Sequence, residues 1–171
     1  MLTFRPYKNC DAEIIATWVS DEKTFYQWSA DIIGAYPMSS KDLNIHYEKQ
    51  ANNTNFFVFT ACDETAKPVG HMIMRYLDDS HKKVRFGFVI VDNNVRGKGY
   101  GKEMLLLAEK YALELLHAEE ITLGVFANNE KAFYCYQAAG FEEFGERTKY
   151  AVNGEEWECI EMRYTRNAQS I

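Results

Sequence analysis

Apolar positions along the chain change period several times, and each change marks an element. Residues 2–7 read as a first strand. From Asp11 to Val19 the apolar side chains Ile14, Ile15 and Trp18 recur at helical spacing. Residues 21–38 carry Phe25, Tyr26, Trp28 and Tyr36 with weak periodicity, which suits a short helix and a loop. Ser39 and Asp42 form a capping-box pattern that opens a helix to about Gln50. Phe56–Thr60 and Val69–Leu77 then read as strands separated by turn residues. Val84–Val91 is apolar at nearly every position after Arg85, which predicts a central strand buried on both faces. A strong helix is predicted over Gly99–His117. Met104, Ala108, Tyr111 and Leu115 form its apolar stripe, Leu105, Ala112 and Leu116 widen it, and Glu103, Lys110 and Glu114 face away. Ile121–Phe126 is a strand, and Asn128-Asn129 caps a short helix ending at Gly140. Phe141 begins a last hairpin with a type I′ turn at Asn153-Gly154. The predicted class is mixed α/β with helices on both faces of the sheet. The unit Val84–Phe126 forms a right-handed crossover.

Composition narrows the function classes. The 171 residues suit one domain, 1–171, with no repeat and no linker-like stretch. A net charge of −6 argues against a general nucleic-acid binder and is compatible with a cationic substrate. The four cysteines have neither zinc-site nor disulfide-framework spacing, so reduced thiols, a cytoplasmic location and no metal are expected. No signal-peptide core and no membrane-length apolar run are visible, so no membrane association is expected. His46, His71, His81 and His117 show no ligand spacing.

The turn between the central strand and the strong helix carries the chemistry. It reads Val91-Asp92-Asn93-Asn94-Val95-Arg96-Gly97-Lys98-Gly99-Tyr100-Gly101-Lys102. Alternate glycines let the backbone approach a ligand with its N–H groups inward, and the helix start adds a partial positive charge. Arg96, Lys98 and Lys102 add cationic side chains, so the turn suits a phosphate or pyrophosphate. A nucleotide-triphosphate loop needs Ser or Thr after Gly-Lys, and here Gly99 follows Gly97-Lys98. A dinucleotide turn needs Gly-x-Gly-x-x-Gly, and here the spacing is Gly-x-Gly-x-Gly.

Arg96, Gly99 and Gly101 match the pattern Gln/Arg-x-x-Gly-x-Gly/Ala, and the stretch Asn129 to Phe141 matches Asn-x-x-Ala-x-x-x-Tyr-x-x-x-Gly-Phe. Together they resemble the GNAT superfamily of acetyl-CoA-dependent N-acetyltransferases. The resemblance implies a central mixed sheet of six to seven strands, with two central strands splayed around acetyl-CoA. It implies that Val89, Ile90 and Val91 offer backbone groups to the pantetheine arm. Arg96, Gly97, Lys98, Gly99, Tyr100 and Gly101 would wrap the pyrophosphate, with Lys102 beside it, and Asn129 would hold the pantetheine side. Tyr136 would lie near the sulfur and protonate the leaving thiolate.

The implied acceptor is a primary amine of a small molecule, a protein N-terminus or a lysine, attacking the thioester directly through a tetrahedral intermediate. Freeing such an amine of its proton at pH 7 costs about 4–5 kcal/mol. Some members of the family carry a glutamate five residues before the asparagine; here that position is Gly124. Asp92 is expected to cap the turn. A water relay, or a base from the N-terminal half or the last hairpin, is therefore expected. Tyr26 and Trp28 lie in the segment that walls the acceptor site in related folds. Glu142, Glu143, Glu155 and Glu156 read as a solvated face that a cationic acceptor could meet. The alternative function is a non-catalytic acyl-CoA-binding or regulatory module, and a homodimer is the default assembly.

Overall fold

The computed structural model describes residues 1–95 and 97–165. Strand β1 (Thr3–Pro6) leads into helices α1 (Asp11–Trp18), α2 (Glu22–Ser29) and α3 (Ser40–Glu48). Strands β2 (Phe56–Cys62), β3 (Pro68–Tyr76) and β4 (Lys83–Val91) follow as an antiparallel run. Helix α4 (Tyr100–Glu114) crosses to β5 (Glu120–Phe126), the only strand among the described residues that runs parallel to its neighbour β4. Helix α5 (Glu130–Ala138) leads to β6 (Glu142–Glu143), β7 (Thr148–Val152) and β8 (Glu155–Thr165). The sheet order is β1-β2-β3-β4-β5-β8-β6, with β7 also paired to β8.

Eight strands appear where six to seven were expected, because the long β8 serves two partners along one edge. Its Met162–Arg163 end takes β6 and its Glu155–Cys159 end takes β7. Between them the chain turns at Gly145, whose φ of 69° is left-handed, so one edge strand becomes two. The hairpin turn is as predicted, with φ of 48° at Asn153 and 79° at Gly154.

Each face of the sheet holds its own core. One, under α4 and α5, gathers Met72, Met74, Phe86, Met104, Leu105 and Leu123. The other, under α1–α3 and the hairpin, gathers Ile15, Trp18, Phe25, Leu43, Ile73 and Phe126. The capping box at α3 is present: Ser39 Oγ accepts from Asp42 N–H (3.2 Å) and Asp42 Oδ2 accepts from Ser39 N–H (2.8 Å). In α1 the buried stripe is Ala12, Ile15 and Trp18, while Ile14 is exposed. The phase is set by Asp11, which turns inward to Arg5 (2.7 Å to each Nη), the Lys8 N–H and the Thr60 hydroxyl. Burial alone would raise the Asp11 pKa, but those bonds hold it below the usual carboxylate value.

Two further expectations are corrected. Helix α4 ends at Glu114, so Leu115 leaves the stripe and is exposed, and the buried set instead includes Glu109. Strand β4 is central but not buried on both faces throughout. Gly87, Phe88 and Val89 are only half-buried. The reason is the divergence of its neighbour β5, described next.

Candidate active site

Strands β4 and β5 are in register only at Lys83↔Glu120, Val84↔Ile121 and Arg85↔Thr122. Beyond that point they part. The other edge of β4 stays paired to β3, and the other edge of β5 stays paired to β8 through Phe126↔Cys159. The facing edges, Phe86–Val91 and Leu123–Phe126, therefore line a V with backbone groups that no strand ladder uses. Such groups need partners when enclosed. The turn in β4 is made by a bulge: the β3–β4 register shifts between His71 and Ile73, and Phe88 takes φ 48°, a conformation uncommon for a bulky residue. Val89, Ile90 and Val91 lie on the arm beyond this bulge.

The V opens toward the glycine turn. Asp92 is buried and caps it, accepting from the Asn94 N–H (2.8 Å) and from Asn94 Nδ2 (3.0 Å). Gly97 (φ 81°) and Gly99 (φ 75°) are left-handed, and nothing lies within 4 Å of where a Cβ would stand on either. Gly99 is the N-cap of α4 and makes no side-chain cap bond, so the first N–H groups of the helix lack that partner, and Lys98 and Lys102 beside them in sequence are exposed. This open cradle of N–H groups and cations fits a pyrophosphate. Tyr100 opens α4 and is half-buried. Gly101 lies inside α4 rather than in the turn. A Cβ there would meet Cys135 Sγ at 3.1 Å, so this glycine lets α5 approach. Arg96 lies outside the described residues.

Helix α5 brings the second motif alongside. Asn129 is its N-cap, with Oδ1 accepting from the Ala132 N–H (3.4 Å). Tyr136 is the residue of α5 that is buried, and its ring lies 6.4 Å from that of Phe141. Burial and then the neighbouring Cys135 raise its pKa, so the phenol keeps its proton at neutral pH.

On the opposite face of the sheet the V opens into a cavity of about 560 Å³. Both arms of the V line it, through Arg85–Phe88 and Gly124–Phe126, together with α2, α3 and Tyr150 of the hairpin. One wall is aromatic. Phe88 meets Trp28 edge-on at 5.7 Å and His46 at 5.6 Å between ring centroids. Of the two N-terminal aromatic candidates, Trp28 faces the cavity. Tyr26 does not, because it packs into the core edge-on to Phe25 at 5.0 Å. His71 is fully buried, bonded to the Tyr47 hydroxyl through Nε2 (2.6 Å), and burial pushes its pKa down to about 3, so it is a neutral packing residue.

The position of Gly124 acquires a reason here. A Cβ on it would stand 2.8 Å from Arg85 Nη2, because the Arg85 guanidinium crosses over it to Glu161. Glu161 is the residue paired with Gly124 on β8. The two charged groups form a fork, Nη1 to Oε2 at 2.7 Å and Nη2 to Oε1 at 2.9 Å. Burial alone would lower the Arg85 pKa; the bonds to Glu161 raise it overall. A carboxylate thus reaches the V from β8. A base from the last hairpin is among the expectations, whereas Glu161, Arg85, Arg75 and Phe88 are not singled out by the sequence. The signal was the alternation in β8, which puts Glu161, Cys159 and Arg163 on one face. Among the described residues no group of three or more His, Cys, Asp or Glu is placed to hold a metal ion. No helix there is long and apolar enough to cross a membrane.

Solved structures share this fold. Spermidine N-acetyltransferase from Vibrio cholerae, solved in complex with CoA and spermine, superposes with a TM-score of 0.80 at 21% identity, over 96% of this chain and 95% of that one. A chimera of the Vibrio cholerae enzyme and hSSAT gives 0.78 at 22% identity, over 96% and 95%. At these identities the likeness is one of fold. A spermine/spermidine N(1)-acetyltransferase of Bacillus subtilis (strain 168) is 35% identical over 69 residues, 40% of this chain and 45% of that relative. The match therefore spans less than half the length of that curated relative. The model of the acetyltransferase (GNAT) family matches residues 13–141, from α1 through the splayed strands and the glycine turn to the end of the second motif. This chain belongs to the GNAT acetyltransferase family.

Proposed function

We propose that this chain transfers the acetyl group of acetyl-CoA to a primary amine of a small molecule held in the cavity under α2 and α3. The observation that carries the reading is the V itself. It joins a phosphate cradle at the start of α4 to a separate cavity across the sheet, so two substrates can meet from opposite faces. Acetyl-CoA supplies the thioester whose acyl carbon the amine attacks.

The roles of the chain's own residues follow. The backbone of Val89, Ile90 and Val91, on the free edge of β4, holds the pantetheine arm as a strand would. Gly97, Lys98, Gly99, Tyr100 and Gly101 present N–H groups to the pyrophosphate, and Lys102 adds charge. Asn129 borders the opposite arm. Tyr136, protonated at neutral pH, donates to the leaving thiolate, whose parent thiol has an ordinary pKa of about 8.5. Glu161 keeps two lone-pair directions beyond those used by Arg85, and it accepts from the incoming ammonium directly or through water. Trp28 and Phe88 pack against the acceptor's carbon skeleton. The polyamine acetyltransferases among the relatives make polyamines one candidate acceptor class. With the reading go a cytoplasmic location, in keeping with four free thiols, and a single catalytic unit over 1–171.

Calorimetric titration of acetyl-CoA into wild type and Gly99→Glu tests it. No atom lies within 4 Å of a Cβ at Gly99, so the fold meets no clash; the left-handed φ costs about 1–2 kcal/mol. The expected result is micromolar binding by wild type and none by the variant, with acetylated product formed from an amine panel by wild type. A folded wild type that binds no acetyl-CoA would overturn the reading. Binding without product from any amine would leave a non-catalytic acyl-CoA-binding module.

A further inference from the structure

The charges around the acceptor cavity do not suit a polycation. Arg75 and Arg85 both line it, and they are direct cross-strand partners on β3 and β4. Like charges in that relation repel. Glu161 answers Arg85 with a two-point fork, and among the described residues it is the only Asp or Glu on the cavity wall. The Arg75 side chain has no hydrogen bond or ion pair among the described residues, and partial burial and then the neighbouring Arg85 lower its pKa. The wall therefore carries two guanidinium groups against one carboxylate.

The acidic residues of the hairpin lie off the cavity wall and turn to partners of their own. Glu156 pairs with Lys149 (3.0 Å), Glu158 and Glu143 with Arg147 (2.8 and 2.7 Å), and Glu155 accepts from Trp157 Nε1 (2.8 Å). A spermidine-like acceptor would bring two or more ammonium groups to a wall with one carboxylate and a surplus guanidinium. An oxyanion would instead relieve the Arg75–Arg85 repulsion and match the planar donors of Arg75.

We propose that the acceptor is a primary amine that also carries an oxyanion, carboxylate or phosphate, with Arg75 as the residue that selects it. The inference rests on the acetyltransferase reading above for the identity of the cavity. In this arrangement the ammonium end faces Glu161 and the aromatic wall, and the anionic end faces Arg75. The acceptor is thus zwitterionic, and the cavity is its complement.

Steady-state acetylation at saturating acetyl-CoA tests this with acceptors in matched pairs: 4-aminobutyrate against butylamine, and phosphoethanolamine against ethanolamine, with spermidine as the polycation. Wild type is expected to favour at least one oxyanion acceptor over its neutral-tailed partner and over spermidine by roughly tenfold or more in kcat/KM. The pair that shows the larger ratio identifies carboxylate or phosphate. In Arg75→Met that ratio should fall to about one, through KM rather than kcat, and Arg75→Lys should keep part of it. Preference for spermidine, or a ratio unchanged in Arg75→Met, overturns the proposal. If no amine is acetylated, the acetyltransferase reading fails by itself, and the anion site is decided by binding. Calorimetry with 4-aminobutyrate, butylamine, phosphoethanolamine and ethanolamine should then show oxyanion-dependent binding by wild type that Arg75→Met loses. Equal binding within both pairs, or none, overturns it.

Discussion

Tyr136 is both a packed core side chain and the proposed acid. Its ring belongs to the core under α4 and α5, and the phenol that burial keeps protonated is the form a leaving thiolate needs. Removing the hydroxyl alone separates the two roles. Tyr136→Phe keeps the ring contacts and should leave the melting temperature and acetyl-CoA affinity near wild type. It should lower kcat by about 10²-fold. Turnover at the wild-type level would remove Tyr136 from the chemistry. Gly124 makes a different point at the same scale. A glycine that looks like a missing base is the space through which Arg85 reaches Glu161.

Among the elements, α4 has the clearest internal conflict. Its N-terminus must stay open to present N–H groups, while its inner face must be apolar to cover β3 and β4. Glu109 breaks that face. It is buried, its Oε1 has no hydrogen-bond partner, and burial pushes its pKa up to about 7. The folded pKa is raised above the unfolded value near 4.5. The stability it permits is therefore fully present below pH 4.5 and is lost as pH rises through about 7. Glu109→Met should then change stability little at pH 4.5 and raise it at pH 8 by about 1–2 kcal/mol. Thermal melts across that range should show a rise of roughly 3–6 °C at the alkaline end. A variant equally stabilised at both ends would mean that its effect is packing and not ionisation.

For the molecule as a whole, the central question is what holds the V open. On either side the sheet is continuous, β1 to β4 and β5 to β8, and the two halves share only three registered residue pairs. The Arg85–Glu161 fork adds a link between the halves, spanning from β4 to β8 over β5. Both groups are about a quarter exposed, so the pair is more sheltered than a surface salt bridge. In a double-mutant cycle, Arg85→Met and Glu161→Gln should each destabilise more than the double variant adds, with a coupling of about 1–3 kcal/mol. Additive effects in urea unfolding would show that the pair does not join the halves.

Much of this was legible in the residues in order. The element sequence, the capping box at Ser39, the hairpin turn at Asn153-Gly154 and the glycine turn before α4 are local, set by propensity and by backbone conformations that few residues adopt. They point to the family and to the proposed cofactor side of the site, because a phosphate cradle is built from consecutive residues. What only the tertiary structure decided lies between distant segments. It separated Trp28 on the cavity from Tyr26 in the core, although the two are neighbours on one short helix. It divided the last edge strand at Gly145, and it placed Glu109 inward. It also brought Arg75, Arg85 and Glu161 together from β3, β4 and β8 at one cavity. Strand register sets that meeting, and register depends on which strands pair, which no single stretch of the chain encodes.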